Sequence, residues 1–121
     1  PGIEHMAPSY LSGGMRKRVA LPRAVAVRPE IVFYDEPAEG LDPINVTRVN
    51  RLLLRLKDSL NVTSVVVTHN IKAAFAISDR LALIHDGVVA ATGAPETFLD
   101  SQDAVVREFI GERMRKVLRA S

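Results

Sequence analysis

The sequence predicts an α/β fold with a mostly parallel sheet, followed by a β-hairpin and C-terminal helices. Three observations carry this. Residues 31–34 and 62–68 are short apolar runs rich in β-branched residues, with a helix-period segment between them. Asp86-Gly87 separates two further short apolar runs, which is a hairpin turn signal. The final stretch returns to helical periodicity. Strand, helix, strand, helix and hairpin, in that order, make a layered α/β architecture.

Residues 8–11 read as a loop. Ser12 is a good N-cap, and Gly13-Gly14 permits close backbone approach. A helix is expected over residues 14–27, with Met15, Val19, Leu21 and Val25 as its apolar positions. Pro22 removes one backbone hydrogen bond at a cost of about 3 kcal/mol, so a kink or break is expected there. Arg28-Pro29-Glu30 is a turn. The nearly continuous apolar run 31–34 reads as a strand buried on both faces of a parallel sheet. After a loop over 37–43, Pro43 sits in the first turn of a helix that runs to residue 59. Its stripe is Val46, Val49, Leu52, Leu53 and Leu56.

The second buried strand, 62–68, has His69 at its C-terminal end. A helix follows over 71–77, then hairpin strands over 80–85 and 88–92. Gly93-Ala94-Pro95 opens a short helix to about residue 99. One last helix is expected from Asp103 or Ala104 to near Leu118. Val105, Val106, Phe109, Ile110, Val117 and Leu118 share its apolar face, and Arg107, Arg113, Arg115, Lys116 and Arg119 make it basic. It reads either as a docked helix with a solvated face or as a surface for a membrane or partner.

Composition narrows the function. A chain of 121 residues supports one modest core. With no cysteine, disulfides and thiolate metal sites are excluded. No apolar run approaches the roughly 20 residues that span a bilayer as a helix. A formal charge of +2 does not by itself point to nucleic acid, and the 5% aromatic content argues against base stacking. The opening Pro1-Gly2-Ile3-Glu4-His5-Met6 reads as a cut edge inside a longer domain.

Three places could carry chemistry. In α/β sheets ligands bind at the carboxyl ends of strands, where Asp35-Glu36 and His69 both fall. An aspartate there can hold Mg²⁺, and the adjacent glutamate can polarise an attacking water. The alternative is two solvated carboxylates at a strand-loop junction. An imidazole at the next strand end can contact a terminal phosphate, or it can simply be solvated. Ser12-Gly13-Gly14 at a helix start offers backbone N–H groups to an anion, or forms an ordinary cap. His5 and His85 have no such context.

Taken in order, these segments resemble the ATP-binding cassette (ABC) ATPases. Leu11-Ser12-Gly13-Gly14-Met15 resembles the signature motif, and residues 31–36 resemble Walker B with its catalytic glutamate. Gly40-Leu41-Asp42-Pro43 resembles the D-loop, and Val67-Thr68-His69 the switch histidine. The resemblance implies the C-terminal half of a P-loop NTPase (RecA-like) domain. Residues 1–28 would end the helical subdomain, 29–103 form half of the ATPase core, and 104–121 form the C-terminal helix.

The resemblance further implies ATP and Mg²⁺ as cofactors. Asp35 would help hold Mg²⁺, Glu36 would orient the hydrolytic water, and His69 would sense the γ-phosphate. Ser12, Gly13 and Gly14 would clasp ATP bound mainly by a second ATPase subunit in a head-to-tail dimer, with Asp42 communicating across it. The implied partners also include a transmembrane permease and no nucleic acid. The implied location is cytoplasmic, on the inner face of the membrane. Residues 61–79 and the tail 103–111 resemble the Mla/Mce-type ATPases of bacterial phospholipid trafficking, which adds a lipid-binding Mce-type protein to the expected partners.

The sequence also departs from that pattern. No Gly-x-x-x-x-Gly-Lys-Ser/Thr phosphate loop occurs in it, so hydrolysis by this chain alone is not expected. Pro22 stands where the family usually has Ala, Ala38-Glu39 where a Thr and a small residue are common, and Asn70 where Asp is common. A half-domain should expose a sheet edge and apolar surface, predicting an oligomer or limited stability. A non-catalytic remnant that binds or regulates a partner is the alternative reading. DNA-repair and chromosome-organising ATPases share the motifs but interrupt them with long coiled coils, which this sequence lacks.

Overall fold

The computed structural model describes residues 29–120, which fall into two compact units divided between His69 and Asn70. The expected helix at 14–27, with Pro22 and the Ser12-Gly13-Gly14 segment, lies outside the described residues.

In the first unit, β1 (Ile31–Asp35) leads through α1 (Pro43–Leu60) to β2 (Thr63–Val67). The strands pair in parallel, with Ile31 opposite Thr63 and Asp35 opposite Val67. Parallel pairing needs a crossover, and α1 supplies it. The helix starts where Asp42 caps it and Pro43 fills its first turn. It stops where Asn61 turns left-handed (φ 51°) and donates its N–H to the Lys57 carbonyl at 3.1 Å. Val49 and Leu53, one helical turn apart, are the buried residues of α1.

The continuous apolar run of β1 does not produce burial on both faces. Val32 and Tyr34 are buried, but Ile31 is 54% exposed and Phe33 73%. In β2, Val65 and Val67 are likewise exposed. Side chains alternate along a strand whatever their polarity, so covering one face hides every second residue and leaves the others bare. This strand pair therefore carries exposed apolar side chains on its uncovered face.

The second unit contains α2 (Ile71–Ile77), β3 (Leu81–His85), β4 (Val88–Gly93), α3 (Pro95–Asp100), α4 (Ala104–Ile110) and α5 (Glu112–Arg119). β3 and β4 form an antiparallel hairpin. Asp86 (φ 48°) and Gly87 (φ 77°) make its turn; two successive positive φ angles suit the right-handed twist of the strands. Leu83, Phe98, Val106 and Ile110 form the core, with Phe75, Leu81, Met114 and Leu118 packed against it. Each such side chain contributes roughly 1.5–3 kcal/mol on full burial.

The single C-terminal helix expected to run to Leu118 is instead two helices. Gly111, at φ 70°, ends α4 and precedes α5. Glycine is the weakest helix former after proline, and only glycine adopts this backbone at no steric cost. The apolar face is divided accordingly. Val106 and Ile110 are buried, whereas Phe109 and Val117 are exposed. Two of the tail's cations also have internal work. Arg115 donates to the carbonyls of Phe98 (3.2 Å) and Ser101 (3.0 Å), and Arg119 to that of Leu99 (3.1 Å). Guanidinium groups there satisfy the carbonyls at the end of α3, where the helix dipole favours positive charge.

Candidate functional site

β1 and β2 end side by side, so the residues after them are neighbours despite more than thirty intervening positions. Glu36 leaves β1 with φ 41°, an uncommon backbone for a residue with a side chain. Its N–H donates to the Val67 carbonyl at 2.9 Å, which extends the ladder by one step. Its carboxylate meets the end of β2. Oε2 accepts from the Thr68 hydroxyl at 2.9 Å, and Oε1 accepts from the His69 backbone N–H at 2.8 Å. His69 Nδ1 lies 2.7 Å from the same Oε1.

Burial beside the strand ends raises the Glu36 pKa, but the His69 ring, the Thr68 hydroxyl and the His69 N–H more than offset this. The net value is below the ordinary glutamate value. Glu36 is therefore an anion at neutral pH. An ionised carboxylate only accepts hydrogen bonds, so the short contact requires the His69 proton on Nδ1. The imidazole is otherwise exposed (76%), leaving Nε2 for another partner. With Nδ1 committed, Nε2 is an acceptor on the neutral ring and a donor only on the imidazolium.

The remaining predicted residues are placed differently. Asp35 is exposed at the last position of β1. Asp42 is the N-cap of α1: its Oδ1 accepts from the N–H groups of Ile44 and Asn45, each at 3.1 Å, and Oδ2 accepts from the Asn45 amide. The Asn45 amide, then the Asn45 N–H, holds the Asp42 pKa below its ordinary value. The structure thus brings Glu36 and His69 together and gives Asp42 a local structural duty. Ser12, Gly13 and Gly14 lie outside the described residues. Thr68 is the member that sequence reasoning missed. Its signal was a hydroxyl residue ending a β-branched strand immediately before the histidine.

Among the described residues, no three His, Asp or Glu side chains gather in a group that could hold a metal. Mg²⁺ takes one or two protein carboxylates and completes its shell with phosphates and water, and the exposed Asp35 is a carboxylate that could serve in that way.

The family model described as ABC transporter matches residues 3–39, a stretch that contains Ser12-Gly13-Gly14 and Asp35-Glu36. The chain is also similar to the intermembrane phospholipid transport system ATP-binding protein MlaF of Haemophilus influenzae, with 42% identity over 109 residues. Over these stretches the chain is similar to ABC transporter ATP-binding proteins. That alignment covers 90% of this chain and 41% of the relative. MlaF of Escherichia coli K12 is 37% identical over 90% of this chain and 40% of its own length. The probable ribonucleotide transport ATP-binding protein mkl of Mycobacterium bovis is 36% identical over 93% of this chain and 31% of its own length. The chain therefore spans about two fifths or less of the length of these relatives. Among the described residues no helix is long and apolar enough to cross a membrane.

Proposed function

We propose that the chain is the hydrolytic portion of an ABC transporter ATPase subunit that powers phospholipid trafficking. The observation that carries the reading is the joined end of β1 and β2, where Thr68 and His69 hold an ionised Glu36. In this reading ATP with Mg²⁺ supplies the phosphoryl group to be cleaved and the charge that neutralises its oxygens. Glu36 orients and polarises the attacking water. Thr68 and the His69 backbone fix the carboxylate, and the His69 ring spans the gap between Glu36 and the terminal phosphate. Asp35 contributes the protein's ligand to Mg²⁺.

Ser12, Gly13 and Gly14 clasp ATP held mainly by a second, head-to-tail subunit, and Asp42 couples the two subunits from the start of α1. A permease, and a lipid-binding Mce-type protein, complete the assembly on the cytoplasmic side of the membrane. The MlaF relatives, which are ATP-binding proteins of intermembrane phospholipid transport systems, support phospholipid as the cargo. We assign residues 1–28 to the helical subdomain, 29–103 to the ATPase core and 104–121 to the C-terminal region. This sequence has no phosphate loop, so the chain alone does not hydrolyse ATP in this reading.

The test is ATPase activity of the chain, alone and mixed with a polypeptide carrying the upstream half of such a domain. Hydrolysis only in the mixture, abolished by Glu36→Gln, is expected. An assembled mixture that stays silent, or one that Glu36→Gln leaves unchanged, contradicts the reading.

A further inference from the structure

The corner between α4 and α5 frames an open groove of about 550 Å³, and Lys72, from the first turn of α2, lines it as well. Its apolar lining comes from Ile110, Met114 and Val117. Ile110 is buried, Met114 half-buried and Val117 39% exposed, so the apolar surface is recessed at one end and open at the other. The charged members are Lys72, Arg113 and Glu112. Glu112 faces Arg107 at 3.4 Å, which offsets its charge. Lys72 and Arg113 are exposed and form no ion pair with a described residue. Of the tail's other cations, Arg107 is spent on Glu112 and Arg119 on Asp100, so the groove's own positive charge comes from Lys72 and Arg113. The groove is thus apolar within and positive at its rim.

We propose that this groove docks an acidic amphipathic helix of a partner protein. Apolar side chains of the incoming helix, spaced three and four apart, seat on Met114, Val117 and Ile110. Its carboxylates meet Lys72 and Arg113, which lack other counter-charges among the described residues. The recessed lining favours a protruding side chain over a flat lipid surface, which would meet the cations but leave Ile110 and Met114 uncovered. Charge complementarity selects an acidic helix over a basic one and speeds encounter.

The test uses fluorescence anisotropy with the intact chain and a labelled helical peptide, Leu on one face and Glu on the other. Saturable binding is expected, weakened by salt and reduced about tenfold or more by Lys72→Glu combined with Arg113→Glu. Val117→Asp should weaken it independently. Both variants alter exposed positions, and an unchanged circular dichroism melt confirms their folding. The proposal is overturned by absence of saturable binding or by equal binding of a peptide with Lys in place of Glu. It is equally overturned if the rim variant binds normally, or if phosphatidylglycerol vesicles displace the peptide through the same residues.

Discussion

Glu36 and Asp42 are acidic residues six positions apart, both held below their ordinary pKa, and they are held in opposite ways. Glu36 takes its hydrogen bonds from Thr68 and His69, at the far end of a crossover helix. Asp42 takes its own from Ile44 and Asn45, the next residues along the chain. A carboxylate with local partners is part of how a helix begins. One with distant partners exists only once two strands have paired, so it reports on tertiary structure and can be aimed at a substrate.

The comparison predicts different losses at the two places. The largest concerns His69. If the proposed mixture hydrolyses ATP, His69→Ala should lower its turnover by about a hundredfold or more, because it removes a support of Glu36 and, in the proposed reading, the ring that meets the terminal phosphate. Asp42→Ala should act instead on folding, lowering the melting temperature by a few degrees as the cap is lost. Asp42→Asn keeps the cap and should restore the melt. If Asp42 also couples the two subunits, the same variant will still hydrolyse ATP severalfold more slowly, which separates its two duties.

Acid should expose both carboxylates. A folded-state pKa below the unfolded value contributes stability that is fully present above the unfolded pKa and is lost as pH falls through the folded one. Stability should therefore decline from the ordinary carboxylate range downward. Thr68→Val, which removes one hydrogen bond from Glu36, should make that acid loss shallower; pH-dependent urea melts would show it. The smallest effect is expected from Asn70→Asp. The Asn70 side chain caps α2 by accepting from the Ala73 N–H at 3.0 Å, a task aspartate performs equally well, so melting temperature should barely move.

What could be read from the residues alone follows the same division. The start of α1 at Pro43, the Asp86-Gly87 turn and the strand expected over 31–34 depend on neighbours in sequence, and all appear in the structure, the strand reaching Asp35. The positions of Glu36 and His69 at strand ends were also readable. Their hydrogen bond was not, since it depends on the register between β1 and β2. Thr68 escaped for that reason: alone, a threonine ending a strand says only that it suits a pleated surface. Uninterrupted apolar runs hid the one-sided burial of β1, because alternation of environment leaves no mark where polarity does not alternate. At Gly111 the helical periodicity on both sides concealed a backbone requirement carried by a single residue.

The central claim is that the end of β2 holds Glu36 as an anion through His69. Carboxyl-carbon NMR titration of Glu36, in the chain and in His69→Ala, tests it most directly. The account predicts a Glu36 pKa below that of an ordinary glutamate, moving upward when the ring is removed. A titration at the ordinary value in the unaltered chain, or one indifferent to His69, would contradict it.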